Sequence, residues 1–248
     1  MRLAFWLAAF LAIQALCVWV VEPDIPRLLA GLPRLAGWLG GAFPPDFSGL
    51  DDLLRRAAET VAIATLGTTL AAVLALPLAL LAARPVTPSL WLYQPARALL
   101  DALRGVDGFV FALILVAAVG LGPFAGMLGV ALHSAGSIAK LWSEALESAE
   151  LAPVEAALSA GGTRRQAAVL VLLPETLPQT ASALLYVWEF NIRASTVLGL
   201  VGAGGLGQEL KNAVDLLDFA RVLAILILIV GLVLMADRLS ATLRRRLL

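Results

Sequence analysis

The 248-residue chain has one cysteine, Cys17, and one histidine, His133. That excludes a disulfide framework, and it excludes a zinc site built from clustered Cys and His. Charge is scarce and balanced: 18 basic and 18 acidic residues make up 15% of the sequence, against about 25% in soluble domains. No surplus of positive charge points to nucleic acid. No G-x4-G-K-[ST] phosphate loop occurs, so ATP binding by this chain is not expected. No catalytic set converges either. His133 has Ser134 and Ser137 nearby, but Ser134 at i+1 does not share its helix face. What the chain does have is hydrocarbon: 60% of its residues are hydrophobic, and mean hydropathy is +0.91.

A membrane span needs roughly 20 mostly apolar residues. Segments meeting or approaching that length are Leu3–Val21, Ala57–Ala83, Val106–Leu121 (the shortest, with a start that can lie as early as Leu99), Pro123–Leu141, Thr176–Leu200 and Val222–Ala236 with its flanks. The expected fold is therefore all-α, a polytopic membrane bundle of about six helices. No small-x-small site follows the first segment, which is read as an uncleaved span. Ile25–Leu39 has near-helical apolar spacing and is expected to lie in the outer interface, with a similar short helix in Pro85–Asp101. With both termini inside, 11 Lys and Arg residues fall on the cytoplasmic side and 6 on the other, which sets the expected orientation.

Between the fourth and fifth spans lies a charged island: Glu155-Ala156-Ala157, then Gly161, then Val171-Leu172-Leu173-Pro174. Its spacing predicts two short helices around a turn. Pro153 suits a first helical turn, and Glu155 falls in that turn, where a carboxylate complements the helix dipole. Gly161-Gly162 stops the helix, and Thr163 with Gln166 forms a capping box for the next. Glu155, Arg164 and Arg165 would stand on the surface of a compact knob. Taken alone, such a stretch also fits an alanine-rich hairpin between membrane helices. Taken together, E-A-A-x3-G and the following Leu173-Pro174 resemble the cytoplasmic coupling loop of ABC importer permeases.

The second signature runs from Trp188 to Leu210 and includes Glu189, Asn191, Arg193, Ser195, Thr196 and the glycines Gly202, Gly204, Gly205 and Gly207. Glu189 and Arg193 are four apart on one helix face and can pair. Charges in such a segment should face a bundle interior or an aqueous cavity. Two readings of Arg193 stay open: a positive lining past which an anion moves, or a salt bridge that only fixes helix packing. The glycine run lacks the preceding strand of a dinucleotide fold and is expected instead to break the helix beside a cavity. This ungapped run resembles the phosphonate importer permeases. Members of that family often show Pro-Glu where this chain has Val106-Asp107, so the third span is expected to lack a proline kink.

The resemblance implies a type I ABC importer permease. It would be a single transmembrane domain over residues 1–248, with a cytoplasmic coupling loop at 144–175 and an extracytoplasmic re-entrant or loop segment at 200–219. ATPase coupling would fall to Glu155, Ala156, Ala157, Gly161, Arg164, Arg165, Leu173 and Pro174. The second signature would line or gate the pathway. Implied partners are a cytoplasmic ATPase dimer using ATP and Mg, an extracytoplasmic binding protein, a second copy of this chain, and the lipid of a bacterial inner membrane. The cargo would be phosphonate, or alternatively phosphite, hypophosphite, phosphate or another small anion. Readings of a different class are an intramembrane enzyme with His133 or Glu189 as base, and a structural scaffold that leaves the polar Glu189–Thr196 run unexplained.

Overall fold

The computed structural model describes the backbone of all residues except Met1, Pro88, Leu151 and Leu248, and all side chains except theirs and those of Ala4, Ala8, Arg164, Arg165 and Leu247. Every regular element among the described residues is helical. The chain divides into two compact units, Met1–Pro44 and Pro45–Leu248. The first holds α1 (Arg2–Val21) and α2 (Ile25–Gly41), bent by 60° from one another. Asp24 caps α2 by accepting the Arg27 N–H at 2.7 Å, and Pro26 opens its first turn. The helix expected at Ile25–Leu39 is thus present.

The second unit contains α3 (Leu50–Leu81), α4 (Leu90–Gly105), α5 (Gly108–Val119), α6 (Pro123–Ser148), α7 (Ala152–Ser159), α8 (Arg164–Ala167), α9 (Leu173–Leu198), α10 (Gly205–Asp215) and α11 (Phe219–Leu247). Its centre is α3 packed on α6 and α9. Ala71, Ala75 and Ala79 of α3 are fully or almost fully buried against Ala135, Ile138 and Ala139 of α6. Without water to drive hydrophobic association, helices in lipid gain from close backbone approach, and alanine allows it. Large apolar side chains point the other way: Leu66, Val73, Leu76, Leu226, Val230 and Met235 are exposed. That inversion is what a lipid-facing surface requires.

Among the described residues, four stretches are each long and apolar enough to cross a membrane: Leu50–Leu81, Pro123–Ser148, Ala168–Val201 and Phe219–Arg246. Counting each of two bent pairs as one span raises the number to six. The expectation of a span over Val106–Leu121 needs correction. Its helix, α5, has 12 residues, about 18 Å, against a hydrocarbon core of about 30 Å. It joins α4 across an 83° bend. The expected lack of a proline kink holds, and the chain bends there all the same. With no proline at Val106-Asp107, the break is made by Asp107, which leaves the helix and caps α5 by accepting the Phe109 N–H at 2.8 Å.

Candidate permease site: the knob and the Arg193 cavity

The charged island folds as its spacing predicts. Pro153 is in the first turn of α7, and so is Glu155, whose side chain is exposed. Gly161 takes φ +89°, a left-handed conformation that glycine adopts without a Cβ penalty. The capping box is formed: the Thr163 N–H donates to Gln166 Oε1 at 2.9 Å, and the Gln166 N–H donates to Thr163 Oγ1 at 3.3 Å. Ala156 and Ala157 offer their carbonyls to the N–H groups of Ala160 and Gly162. The side chains of Arg164 and Arg165 lie outside the described residues. A shallow groove of about 230 Å³ runs past Glu155, lined by Pro85, Val154, Leu158, Ala167, Ala168 and Leu172.

From α8 the chain widens into a π-helical turn, Ala168–Leu172, before Leu173 and Pro174 open α9. Pro174 has no N–H to give, and its ring crowds the carbonyl four residues back, so a wider turn relieves both problems. Thr176 Oγ1 supplies a donor to the Leu172 carbonyl at 3.0 Å. Leu172 is buried with Ala83 and Leu146, and Leu173 packs on them. The knob is therefore continuous with α9 on one side and rooted against the ends of α3 and α6.

Further along α9, the second signature separates into two faces. Asn191 is 1% exposed: its Nδ2 donates to Thr68 Oγ1 at 2.8 Å, and its Oδ1 accepts from Ser134 Oγ at 3.0 Å. One amide thus ties α9 to both α3 and α6. Ser195 is buried beside it and donates to the Asn191 carbonyl at 2.7 Å. Thr196 Oγ1 donates to the Arg193 carbonyl at 2.7 Å. Both hydroxyls serve the backbone; Ser195 is buried and Thr196 half-buried, and of the three residues Asn191 alone reaches the cavity described next.

Arg193 is on the other face. Its guanidinium donates to Glu189 Oε1 at 3.3 Å and to Asp237 Oδ1 at 3.4 Å, and Glu189 Oε2 takes a second cation, Arg244, at 3.1 Å. The Arg193 side chain is 43% exposed. It lines a cavity of about 370 Å³ between α5, α6 and α9 with Asp107, Phe109, His133, Phe190 and Asn191. His133 Nδ1 lies 2.9 Å from the Val106 carbonyl oxygen. The pairing of Glu189 with Arg193 was legible from i,i+4 spacing. Asp237 and Arg244 come from α11, more than 40 residues away, and had no local signal. His133, which has no catalytic partner in the local sequence, stands at the cavity wall and meets the α4–α5 bend.

The glycine run does break the helix. A single 3-10 turn, Gly199–Val201, leads to Gly202 and Gly204 at positive φ, and then α10 begins. A Cβ on Gly207 would collide with the Thr196 carbonyl and the Gly199 Cα, so α10 reaches α9 only through glycine. The Leu206 N–H donates to Thr60 Oγ1 of α3 at 2.9 Å. None of these glycines lines the Arg193 cavity.

A bundle of lipid-facing helices with an open cavity holding an arginine and an exposed polar knob fits a membrane permease. The chain belongs to the family described as binding-protein-dependent transport system inner membrane component, which matches residues 75–248 and so includes the knob and the cavity. It is 43% identical over 229 residues to the phosphite transport system permease protein PtxC of Stutzerimonas stutzeri, covering 92% of this chain and 83% of the relative. It is 49% identical over 95 residues to PhnE1 of Escherichia coli (strain K12), named for a cryptic phosphonate transport system, covering 38% of this chain and 46% of that protein. Among solved structures, the inward-facing MetNI methionine ABC transporter matches with a TM-score of 0.71 and 26% identity, covering 79% of this chain and 96% of that one.

Proposed function

We propose that this chain is the permease subunit of an ATP-driven importer of small phosphorus oxyanions, phosphonate or phosphite. The observation that carries the cargo class is Arg193. It is a half-exposed guanidinium at a cavity, held at 3.3 and 3.4 Å by two carboxylates and therefore exchangeable for an anionic solute. A planar guanidinium suits oxyanions because it donates in a fixed fork. Phosphite is favoured by PtxC, whose similarity spans 92% of this chain; phosphonate is supported by the Glu189–Gly207 signature and by PhnE1.

In this reading the chain lies in a bacterial inner membrane with both termini cytoplasmic. It pairs with a second copy around one pathway. An extracytoplasmic binding protein delivers solute, and a cytoplasmic ATPase dimer docks on Glu155, Ala156, Ala157, Gly161, Arg164 and Arg165. ATP and Mg belong to the ATPase, and this chain performs no covalent chemistry. ATPase closure pushes on the knobs, which are continuous with α9 through Leu173 and Pro174. The helix break at Gly202–Gly207 serves as the outer gate.

The test is uptake into proteoliposomes holding the chain, its copurifying ATPase and the matching binding protein. Uptake of 2-aminoethylphosphonate, methylphosphonate, phosphite and phosphate is compared with and without internal ATP. ATP-dependent uptake of phosphite or a phosphonate is the expected result. Uptake of phosphate alone would overturn the assignment to phosphonate or phosphite, and no uptake with a competent partner set would overturn the importer reading.

A further inference from the structure

We infer that Arg97, Glu147 and Tyr93 form a mechanical joint that passes motion of the knob into α4 and the bend at Val106, and thereby into the wall of the Arg193 cavity. This rests on the permease reading. It adds residues that neither signature contains, at a place where four segments of chain meet.

Glu147 is on the last turn of α6, immediately before the chain enters the knob. Its Oε2 accepts from Arg97 Nη2 at 2.5 Å. Its Oε1 accepts from the Arg84 N–H at 3.1 Å and from the Tyr93 hydroxyl at 3.4 Å. Arg97 Nε donates to the carbonyl of Ala82, the residue capping α3, at 3.0 Å. The guanidinium carbons of Arg84 and Arg97 each lie 5.3 Å from the Tyr93 ring centroid. Each cation gains from its approach to the aromatic ring. The two charged side chains are mostly covered, at 16% and 26% exposure. A short, shielded, charge-assisted contact resists sliding far better than an apolar one.

The other end of the same arm is fixed as well. Along α6, Gly136 lets α4 approach so closely that a Cβ there would lie 2.8 Å from Leu103 Cβ and 2.9 Å from the Arg104 nitrogen. Fourteen residues separate Glu147 from His133, about 21 Å of continuous helix. His133 holds the Val106 carbonyl, and the next residues, Asp107, Gly108 and Phe109, line the cavity. So α6 is a rod gripping the α4–α5 arm at both ends. Displacement of its knob end reaches the cavity wall only if the lower grip holds. With that grip cut, α4 can slip along the small-residue face of α6. Lysine cannot replace Arg97, because one ammonium cannot bridge Glu147 and Ala82 while stacking on Tyr93.

The test measures ATP hydrolysed per solute taken up by the reconstituted complex, with phosphite or 2-aminoethylphosphonate as the probe. Arg97→Gln, Arg97→Lys and Glu147→Gln are each expected to keep at least half of the wild-type ATP hydrolysis while uptake falls about tenfold. Tyr93→Phe, which keeps the ring, should stay within about twofold of wild type in both. A second measurement covers variants that do not assemble: Arg97→Cys with Glu147→Cys in a Cys17→Ser background, assayed reduced and after bridging with a short bis-maleimide. Bridging should restore coupling relative to an unbridged aliquot of the same preparation, assayed side by side because the thioether links are permanent. Parallel loss of hydrolysis and uptake in the neutralised variants overturns the joint, as does a bridged pair no better coupled than the reduced one. A wild-type complex that takes up neither probe overturns the proposed cargo and not the joint.

Discussion

Glu147 and Glu189 are both carboxylates on long apolar helices, and both are met by arginine. Around Glu147 the arginine contact is close, at 2.5 Å, with the Arg84 N–H at 3.1 Å and the Tyr93 hydroxyl at 3.4 Å beside it, and the guanidinium is mostly shielded from solvent. Around Glu189 the contacts are looser, at 3.1 and 3.3 Å, and Arg193 is shared with Asp237 and 43% exposed. The difference separates two uses of one chemistry. A shielded pair with every acceptor occupied fixes parts relative to each other. A shared, half-exposed cation can exchange one anionic partner for another at low cost, because water screens what it leaves behind.

That contrast predicts that stability should fall sharply at one site and barely at the other, while transport falls at both. The largest stability effect belongs to the joint: Arg97→Ala strands a shielded carboxylate and should cost about 3 kcal/mol, read as a lower Tm of the purified complex. Next comes Asn191→Ala, which leaves Thr68 and Ser134 without their buried partner and should cost about 2 kcal/mol by the same assay. Arg193→Gln should cost about 0.5 kcal/mol or less, since Glu189 keeps Arg244, yet uptake should fall at least tenfold. A fall in Tm as large as that of Arg97→Ala, with uptake intact, would reverse the comparison and make the Glu189 network the structural one. Smallest of all, Glu155→Lys on the exposed knob should leave Tm unchanged while the ATPase no longer copurifies or no longer couples. Normal docking and normal uptake would remove Glu155 from the interface.

The local features were readable from the sequence because each depends on neighbours in the chain. The capping box at Thr163 and Gln166 and the stop at Gly161 depend on residues only a few apart. The Glu189–Arg193 pair needs only the pitch of a helix. Hydropathy located the long helices because lipid imposes one length and one polarity on them. The short third span was misjudged for the same reason. Hydropathy reports how much apolar surface a segment carries, and says nothing of a bend whose cause is one capping aspartate.

What the sequence by itself determined is therefore the class of molecule: a helical membrane bundle with a knob folded by caps and turns, and one charged face on an otherwise apolar helix. Only the tertiary structure decided which polar groups are spent on packing and which stay available. Asn191 and Arg193 are two residues apart in the same signature. A helix turns about 200° over two residues, so although both touch the same cavity, the Asn191 amide is satisfied by α3 and α6 while the Arg193 guanidinium reaches carboxylates of α9 and α11. Arg97 and Glu147 are 50 residues apart and carry no motif. Their pairing exists because α4 folds back along α6, and long-range packing of that kind has no signature in local spacing.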